Sequence, residues 1–159
     1  MKLEQLENSL PNGFHDADLE TISIDYVSRE AVMKLLLLVG SPNAVTEEKR
    51  EIYQTAELHL SDVLYFVIDT PDMKYRYTEK KSLRIDAGRA GEKSAPAPPV
   101  PLDQLPTGIS AYWFFVSDWN SFIHVAAMDA KLRWSGPAPD NSSNFEDGEP
   151  GGKRKKGSA

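Results

Sequence analysis

The sequence predicts a mainly β protein, a single-domain antiparallel two-layer sheet or β-sandwich of about eight short strands, with little helix. Three observations lead to this prediction. Apolar and polar residues alternate with a period of two along several segments, which is typical of half-buried strands. Turn residues separate these segments at fairly regular intervals. Residues 109–134 are rich in aromatic residues and have the pattern of a hairpin at the centre of the fold.

The first two strands follow a turn. Pro11 and Gly13 prevent regular structure before a strand that begins near Leu19. Leu19 is out of phase with the alternation that follows it, which predicts a β-bulge at that position. Within residues 31–39, the run at residues 35–39 is apolar on both faces and predicts a central strand, with a helix as the competing interpretation. The stop signal at residues 40–43 favours the strand.

The middle of the chain predicts two more strands. Residues 46–52 are charged and predict a solvated loop or a single helical turn. Residues 56–60 alternate and residues 63–68 are apolar throughout, so each segment is predicted as a strand. A kink at Ser61 and Asp62 would let the chain leave one pairing and enter another.

The remaining strands include the aromatic hairpin. A short strand is predicted at residues 83–85, and a mobile linker is predicted at residues 88–108 because that region is rich in Ala, Pro and Gly. The hairpin consists of strands at residues 109–116 and 122–127, and a last strand covers residues 130–134.

The domain is predicted to cover residues 1–135. Residues 136–159 are predicted as a disordered tail because their composition buries too little apolar area to offset chain entropy. The tail contains four acidic and four basic residues, so the formal charge of −6 belongs entirely to the domain. An acidic domain disfavours nucleic acid and favours a basic protein partner. The basic run at residues 153–156 is interpreted as a solubilising end.

Composition and motifs exclude several functions. The absence of cysteine excludes disulfides, thiolate zinc sites and cysteine nucleophiles. No apolar run resembles a secretory signal or reaches membrane-spanning length, so we expect a cytoplasmic protein without a membrane partner. The sequence contains no nucleophile elbow, phosphate loop, dinucleotide glycine pattern or zinc-protease motif, and no cofactor is predicted.

The first candidate binding residues are His15, Asp16 and Asp18, at the entrance of the first strand. A histidine followed by two carboxylates could hold a metal ion or supply a general base with its orienting acid. The structural interpretation is favoured: the carboxylates cap turn amides, and His15 packs on Phe14 or bonds to the backbone. No catalytic or metal-binding residue is therefore assigned.

Further candidates lie at the tip of the hairpin and on its second strand. Asp118, Trp119 and Asn120 form a turn whose tryptophan is either tucked under the sheet or exposed as a binding anchor, and packing is favoured. His124 lies on an apolar face, which is typical of a hydrogen-bonded core histidine. The alternative is convergence of His124 with His15 and His59 on one ion.

Two tyrosines complete the candidate set. Tyr75 and Tyr77 lie in a predicted loop that is rich in lysine and arginine. Such a loop could contact a phosphate or an acidic surface, but a solvated charged loop is the favoured interpretation.

Two segments resemble a group of small, uncharacterised bacterial domains, some of which are immunity proteins of polymorphic-toxin systems. Residues 10–19 have the pattern LPxGFHDAxL and are followed by Ile-x-Ile-Asp-Tyr at residues 22–26, as in the opening of these domains. Tyr-Trp-Phe-Phe at residues 112–115, with Asp-Trp-Asn at residues 118–120, is similar to their closing segment. The resemblance implies a β-rich cytoplasmic protein that neutralises a toxin, and it carries over no catalytic residues.

The leading hypothesis is therefore a non-enzymatic protein-binding domain, an immunity protein that neutralises a cognate bacterial toxin. A nuclease toxin must be basic to hold its substrate, and an acidic inhibitor would attract it. The alternative is a small metal-dependent hydrolase or a small-molecule-binding protein that uses His15, Asp16 and Asp18. The oligomeric state is left open.

Overall fold

The computed structural model describes residues 1–75 and 81–139, and in these residues one antiparallel sheet of six strands closes into a barrel. The strands are β1 (Ala17–Asp25), β2 (Glu30–Leu38), β3 (Tyr53–Ile68), β4 (Leu83–Arg89), β5 (Ser110–Val116) and β6 (Ser121–Trp134). Their order around the barrel is β1-β2-β3-β6-β5-β4. Two α-helices, α1 (Leu3–Ser9) and α2 (Glu47–Arg50), and two 3-10 turns, Leu102–Gln104 and Ser117–Trp119, lie outside the sheet.

The prediction of a mainly β, antiparallel fold with little helix is confirmed, whereas the prediction of a two-layer sandwich is wrong. The first three residues of β1 pair with β4, so that Ala17 lies opposite Ile85 and Leu19 lies opposite Leu83. The same strand pairs with β2 on its other side. This pairing joins the two ends of the sheet, and a closed sheet surrounds its own core without a second layer.

The predicted number of strands is also wrong, and the reason is local. Residues 56–60 and 63–68 are one strand, β3, in which Asp62 has a positive φ of 50°. Residues 122–127 and 130–134 are likewise one strand, β6, which pairs with β3 along almost its whole length. A bulge between Val63 and Tyr65 shifts the phase of the alternation in β3, and two consecutive exposed residues, Met128 and Asp129, interrupt it in β6. Two continuous strands therefore resemble four in the sequence.

The core fills the interior of the barrel. In β2, Met33, Leu35 and Leu37 are fully buried, whereas Leu36 and Leu38 on the outer face are only half-buried. β2 lies between β1 and β3, as expected of a central strand. The bulge predicted near Leu19 is present, because the register of β1 against β2 shifts between Leu19 and Thr21.

Helix α1 closes one end of the barrel and was not predicted. Leu3 and Leu6, three residues apart, are buried in the core, and α1 packs against β5 and β6. Helix α2 is the single turn that residues 46–52 allowed, and none of its residues is buried.

The sheet extends into the region predicted as a linker. Gly88 and Arg89 belong to β4 and lie opposite Trp113 and Tyr112 of β5. The assignment of these two residues to a linker at 88–108 is therefore wrong. Most of the predicted tail, residues 140–159, lies outside the described residues, as does Tyr77.

Candidate functional site: a charged face on β1 and β4

The outer surface of β1 and β4 brings together residues from three distant parts of the sequence. Alternation along β4 directs Ile85 and Ala87 into the barrel, which leaves Arg84 and Asp86 on the outside. Arg84 lies directly opposite Asp18 of β1. The turn before β1 and the 3-10 turn after β5 lie beside these two strands. We define the charged face by His15, Asp16, Asp18, Arg84, Asp86 and Asp118.

Arg84 is the centre of this face. Its Nε donates to Asp18 Oδ1 over 3.0 Å, and its Nη1 donates to the Asp16 carbonyl oxygen over 2.9 Å. The Asp16 carboxylate lies 3.5 Å from the same Nη1. The backbone N–H of Arg84 donates to Asp118 Oδ2 over 2.9 Å, which ties the hairpin turn to β4. One residue of β4 therefore organises three of the predicted site residues.

The charge of Arg84 is stabilised by its surroundings. Partial burial opposes the charged guanidinium, but a hydrogen bond with Tyr53 and the negative charges of Asp18 and Asp16 outweigh that effect, and the pKa of Arg84 is raised. Arg84 therefore supplies a stable positive charge at neutral pH, to which Asp16 and Asp18 bind.

His15 adds an imidazole to the face. Its Nδ1 lies 2.6 Å from Asp86 Oδ1. The preceding turn determines this arrangement: Gly13 and Asp16 have positive φ values of 56° and 55°, and the His15 N–H donates to the Asn12 carbonyl. Phe14 consequently points into the core while His15 points outward. Asp86 orients the ring through Nδ1, and the His15 side chain is 65% exposed.

The structure corrects the sequence-based roles of these residues. Asp16 and Asp18 bind Arg84, and neither accepts a hydrogen bond from a turn amide in the described part of the chain. His15 pairs with Asp86 and does not pack on Phe14, which is buried on the other side of the backbone. These three side chains form part of an ionic surface on the outside of the sheet.

The other predicted residues lie apart from the charged face. Trp119 is half-buried against the core, and Asn120 donates to Asp72 over 3.3 Å. His124 is buried on the outer side of β6, where its Nε2 lies 2.9 Å from Asp69 Oδ2. Tyr75 is exposed in the loop after β3.

The sequence interpretation missed Arg84 and Asp86. Both occupy the polar positions of the short predicted strand at residues 83–85 and its continuation, so alternation already indicated that they share a face. Their partners, however, are about 70 residues away in sequence. Only the pairing of β1 with β4 reveals them.

A second polar contact lies at the end of the barrel that α1 covers. The Tyr112 hydroxyl donates to Glu7 Oε2, and Arg89 pairs with Glu4 on the same helix. Burial, together with the Glu7 carboxylate, raises the pKa of Tyr112 well above its usual range. Tyr112 is therefore a neutral donor that holds α1 in place.

The histidines do not form a shared site. His15 binds Asp86, His59 binds Glu57 at 2.9 Å, and His124 binds Asp69. Within residues 1–75 and 81–139, no three histidine, aspartate or glutamate side chains are placed to hold a metal ion.

Comparisons of the chain with protein-family models, with curated proteins and with solved structures each found no match. In the described part of the chain, no helix has the length and apolar character needed to cross a membrane.

Replacing Arg84 with methionine should lower the free energy of unfolding by about 1.5 kcal/mol. Methionine keeps the packing of the aliphatic stem but leaves the half-buried Asp18 without its cation. The expected loss of stability is modest because Arg84 is partly exposed and solvent screens its ion pairs. Urea unfolding measures the change, and Arg50→Met on the exposed helix α2 is the control. Equal unfolding midpoints for the two variants would show that Arg84 does not organise this face.

Proposed function

We propose that the protein is a non-enzymatic binding domain that recognises a basic protein partner through the charged face, and that this partner is a cognate bacterial toxin. The observation that carries the proposal is a cluster of four carboxylates on the charged face: Asp16 and Asp18 pair with the Arg84 guanidinium, Asp118 accepts from the Arg84 backbone N–H, and Asp86 pairs with His15. The acidic domain and the resemblance to immunity proteins support the same function.

The composition of the charged face favours a cationic partner. Asp16, Asp18, Asp86 and Asp118 supply four negative charges, and Arg84 neutralises one of them. The side chains of Asp16 and Asp86 are 68% and 52% exposed, so a partner can reach them. The field of a domain with a formal charge of −6 would add long-range attraction.

The hydrogen bonds and ion pairs within the charged face reduce the side-chain conformational entropy that would be lost on binding a partner. Arg84 fixes Asp16 and Asp18, and His15 fixes Asp86, before any partner arrives. Groups that are already held in position lose less rotamer freedom on association, and more of the interaction energy then appears as affinity.

The test is toxin neutralisation with charge-reversed variants. The product of the adjacent gene is expressed with the wild-type chain, with Asp16→Lys/Asp86→Lys, or with Asp103→Lys, an exposed carboxylate in the 3-10 turn at Leu102–Gln104. We expect the wild type and Asp103→Lys to protect the cells and to form a complex that weakens as salt is added. The double variant should bind at least about tenfold more weakly. Absence of both protection and complex formation would refute the proposal.

A cleft beside His15 favours a second candidate function, the binding of a small cationic molecule. The cleft has a volume of about 390 Å³ and is lined by Glu7, Asn8, His15 and Glu92, among others. His15→Ala distinguishes the two functions in the same assays. Alanine removes the imidazole from the cleft but leaves every carboxylate of the charged face, so toxin binding should persist and small-molecule binding should be lost.

A further inference from the structure

The second half of β3 is an open edge in the described part of the chain. Residues 56–60 of β3 lie between β2 and β6, but the pairing of β3 with β2 ends where Leu60 lies opposite Ala31. Beyond that point β3 continues to Ile68 with β6 as its strand neighbour on one side. On the other side of this part of β3, the backbone hydrogen bond found among residues 1–75 and 81–139 is donated by the Val63 N–H to the Arg29 carbonyl oxygen. We call residues 64–68 the free edge.

Burial changes sharply across the two strands at the free edge. Ile68 is 46% exposed, whereas its cross-strand partner Ile123 is fully buried. Val67 is exposed and its partner His124 is buried. Ile123 and His124 have a strand on each side, β3 and β5, whereas Val67 and Ile68 have β6 as their one strand neighbour in the described residues.

The backbone of the free edge is oriented for pairing. The Asp69 N–H donates to the Phe122 carbonyl of β6 over 2.9 Å. Alternate residues of a strand direct their backbone groups to opposite sides, so the N–H and C=O groups of Ile68 and Phe66 point away from β6. Among residues 1–75 and 81–139, no backbone group bonds to them, and another strand could do so.

The side chains give the free edge none of the usual protection against such pairing. The sequence Leu-Tyr-Phe-Val-Ile at residues 64–68 contains no charge, no proline and no glycine. A register shift precedes both edges, between Leu19 and Thr21 in β1 and between Val63 and Tyr65 in β3. The unpaired part of β1 differs in its side chains, because residues 21–25 include Thr21, Ser23 and Asp25. An uncharged edge of aromatic and branched residues is typical of a strand that pairs with another chain.

We propose that the free edge is a dimerisation site that pairs antiparallel with the free edge of a second copy of this chain. A two-fold axis at Val67 places Phe66 opposite Ile68 of the second copy and joins their outward backbone groups. Two copies of a chain with a formal charge of −6 repel one another. The free edge carries no charged side chain, so two copies can come into contact there with the least local repulsion. Residues 64–68 contain no acidic side chain that could pair with a basic partner. This dimer is independent of the function proposed for the charged face.

The dimer should be weak and dependent on concentration. A strand pair of this length buries less than the roughly 1,200 Å² of a stable interface, so monomer and dimer should exchange rapidly. Sedimentation velocity over about a hundredfold range of concentration should show the mass rising from one chain to two. Hydrogen exchange should show that the amides of Phe66 and Ile68 become protected over the same range, while the amide of Val45 in an exposed loop does not.

Val67→Lys is the diagnostic variant, because it brings like charges together at the paired edges. Val45→Lys, at a nearly fully exposed loop position, is the matched control. We expect Val45→Lys to dimerise like the wild type and Val67→Lys to stay monomeric with an unchanged near-ultraviolet circular dichroism spectrum. If Val67→Lys does not fold, hydrogen exchange of the wild type decides. A wild-type monomer at every concentration, an unaffected Val67→Lys dimer, or growth beyond two chains would each overturn the proposal.

Discussion

Replacing Phe14 with alanine is expected to lower the free energy of unfolding by about 4 kcal/mol. Phe14 is fully buried in the core, and its ring packs edge-on against Phe114 with centroids 5.9 Å apart. Truncation removes a large apolar side chain and leaves a cavity that the surrounding strands cannot readily fill. Urea unfolding followed by fluorescence and circular dichroism gives the difference in stability.

His15→Ala is the natural control because it changes the next residue. The His15 side chain is largely exposed, and its ion pair with Asp86 is screened by solvent, so we expect a change of less than about 0.5 kcal/mol. The two adjacent residues should therefore have opposite roles, one in stability and the other on the surface. A similar loss for both variants would mean that the turn from Leu10 to Asp16 is a single structural unit with no side chain free for binding.

The contrast between Phe14 and His15 shows how much of the structure of residues 10–19 the sequence predicts. Alternation and turn chemistry place a strand after Asp16 and predict that His15, Asp16 and Asp18 lie near one another. They do not identify the binding partners of these residues. Arg84 and Asp86 reach the motif because β4 pairs with the first residues of β1, and a pairing that closes a barrel leaves no local signal in either strand.

The strand count failed for a related reason. A period of two identifies a strand only while its phase is constant, and just after Asp62 the register of β3 against β6 shifts between Val63 and Tyr65. The hydrogen-bonded ladder between β3 and β6 continues past that shift. Pattern alone could therefore predict the antiparallel class and most of the strand positions, but not the continuity of the long strands from which the barrel is built.

Helix α1 shows why short elements are difficult to predict from the sequence. Its seven residues have two buried leucines, Leu3 and Leu6, and such a pattern is too short to stand out from a loop. The helix is stabilised by its tertiary contacts, including the hydrogen bond from Tyr112 to Glu7. The residues lining the cleft beside His15 could not be predicted for the same reason, because part of its wall is this helix.

The same dependence on tertiary contact predicts a large effect at Gly88. We expect Gly88→Ala to lower the free energy of unfolding by about 3 kcal/mol. A Cβ atom at this position would lie 2.3 Å from Cζ2 and 2.7 Å from Cε2 of the Trp113 indole, which covers Gly88 from the neighbouring strand. The ring cannot easily move aside, because it also packs edge-on against Phe122, with the ring centroids 5.8 Å apart.

The indole is held over Gly88 by packing and not by a polar bond. Its Nε1 is buried and has no hydrogen-bond partner in the described residues. Trp113→Val should therefore relieve the overlap, and the double variant with Gly88→Ala should lose less stability than the two single variants combined. Gly136→Ala is the control, since its added Cβ would meet Gln54 Nε2 only at 3.8 Å, and it should change stability by less than about 0.5 kcal/mol. Additive losses for Gly88 and Trp113 would show that the clash is absorbed elsewhere in the sheet.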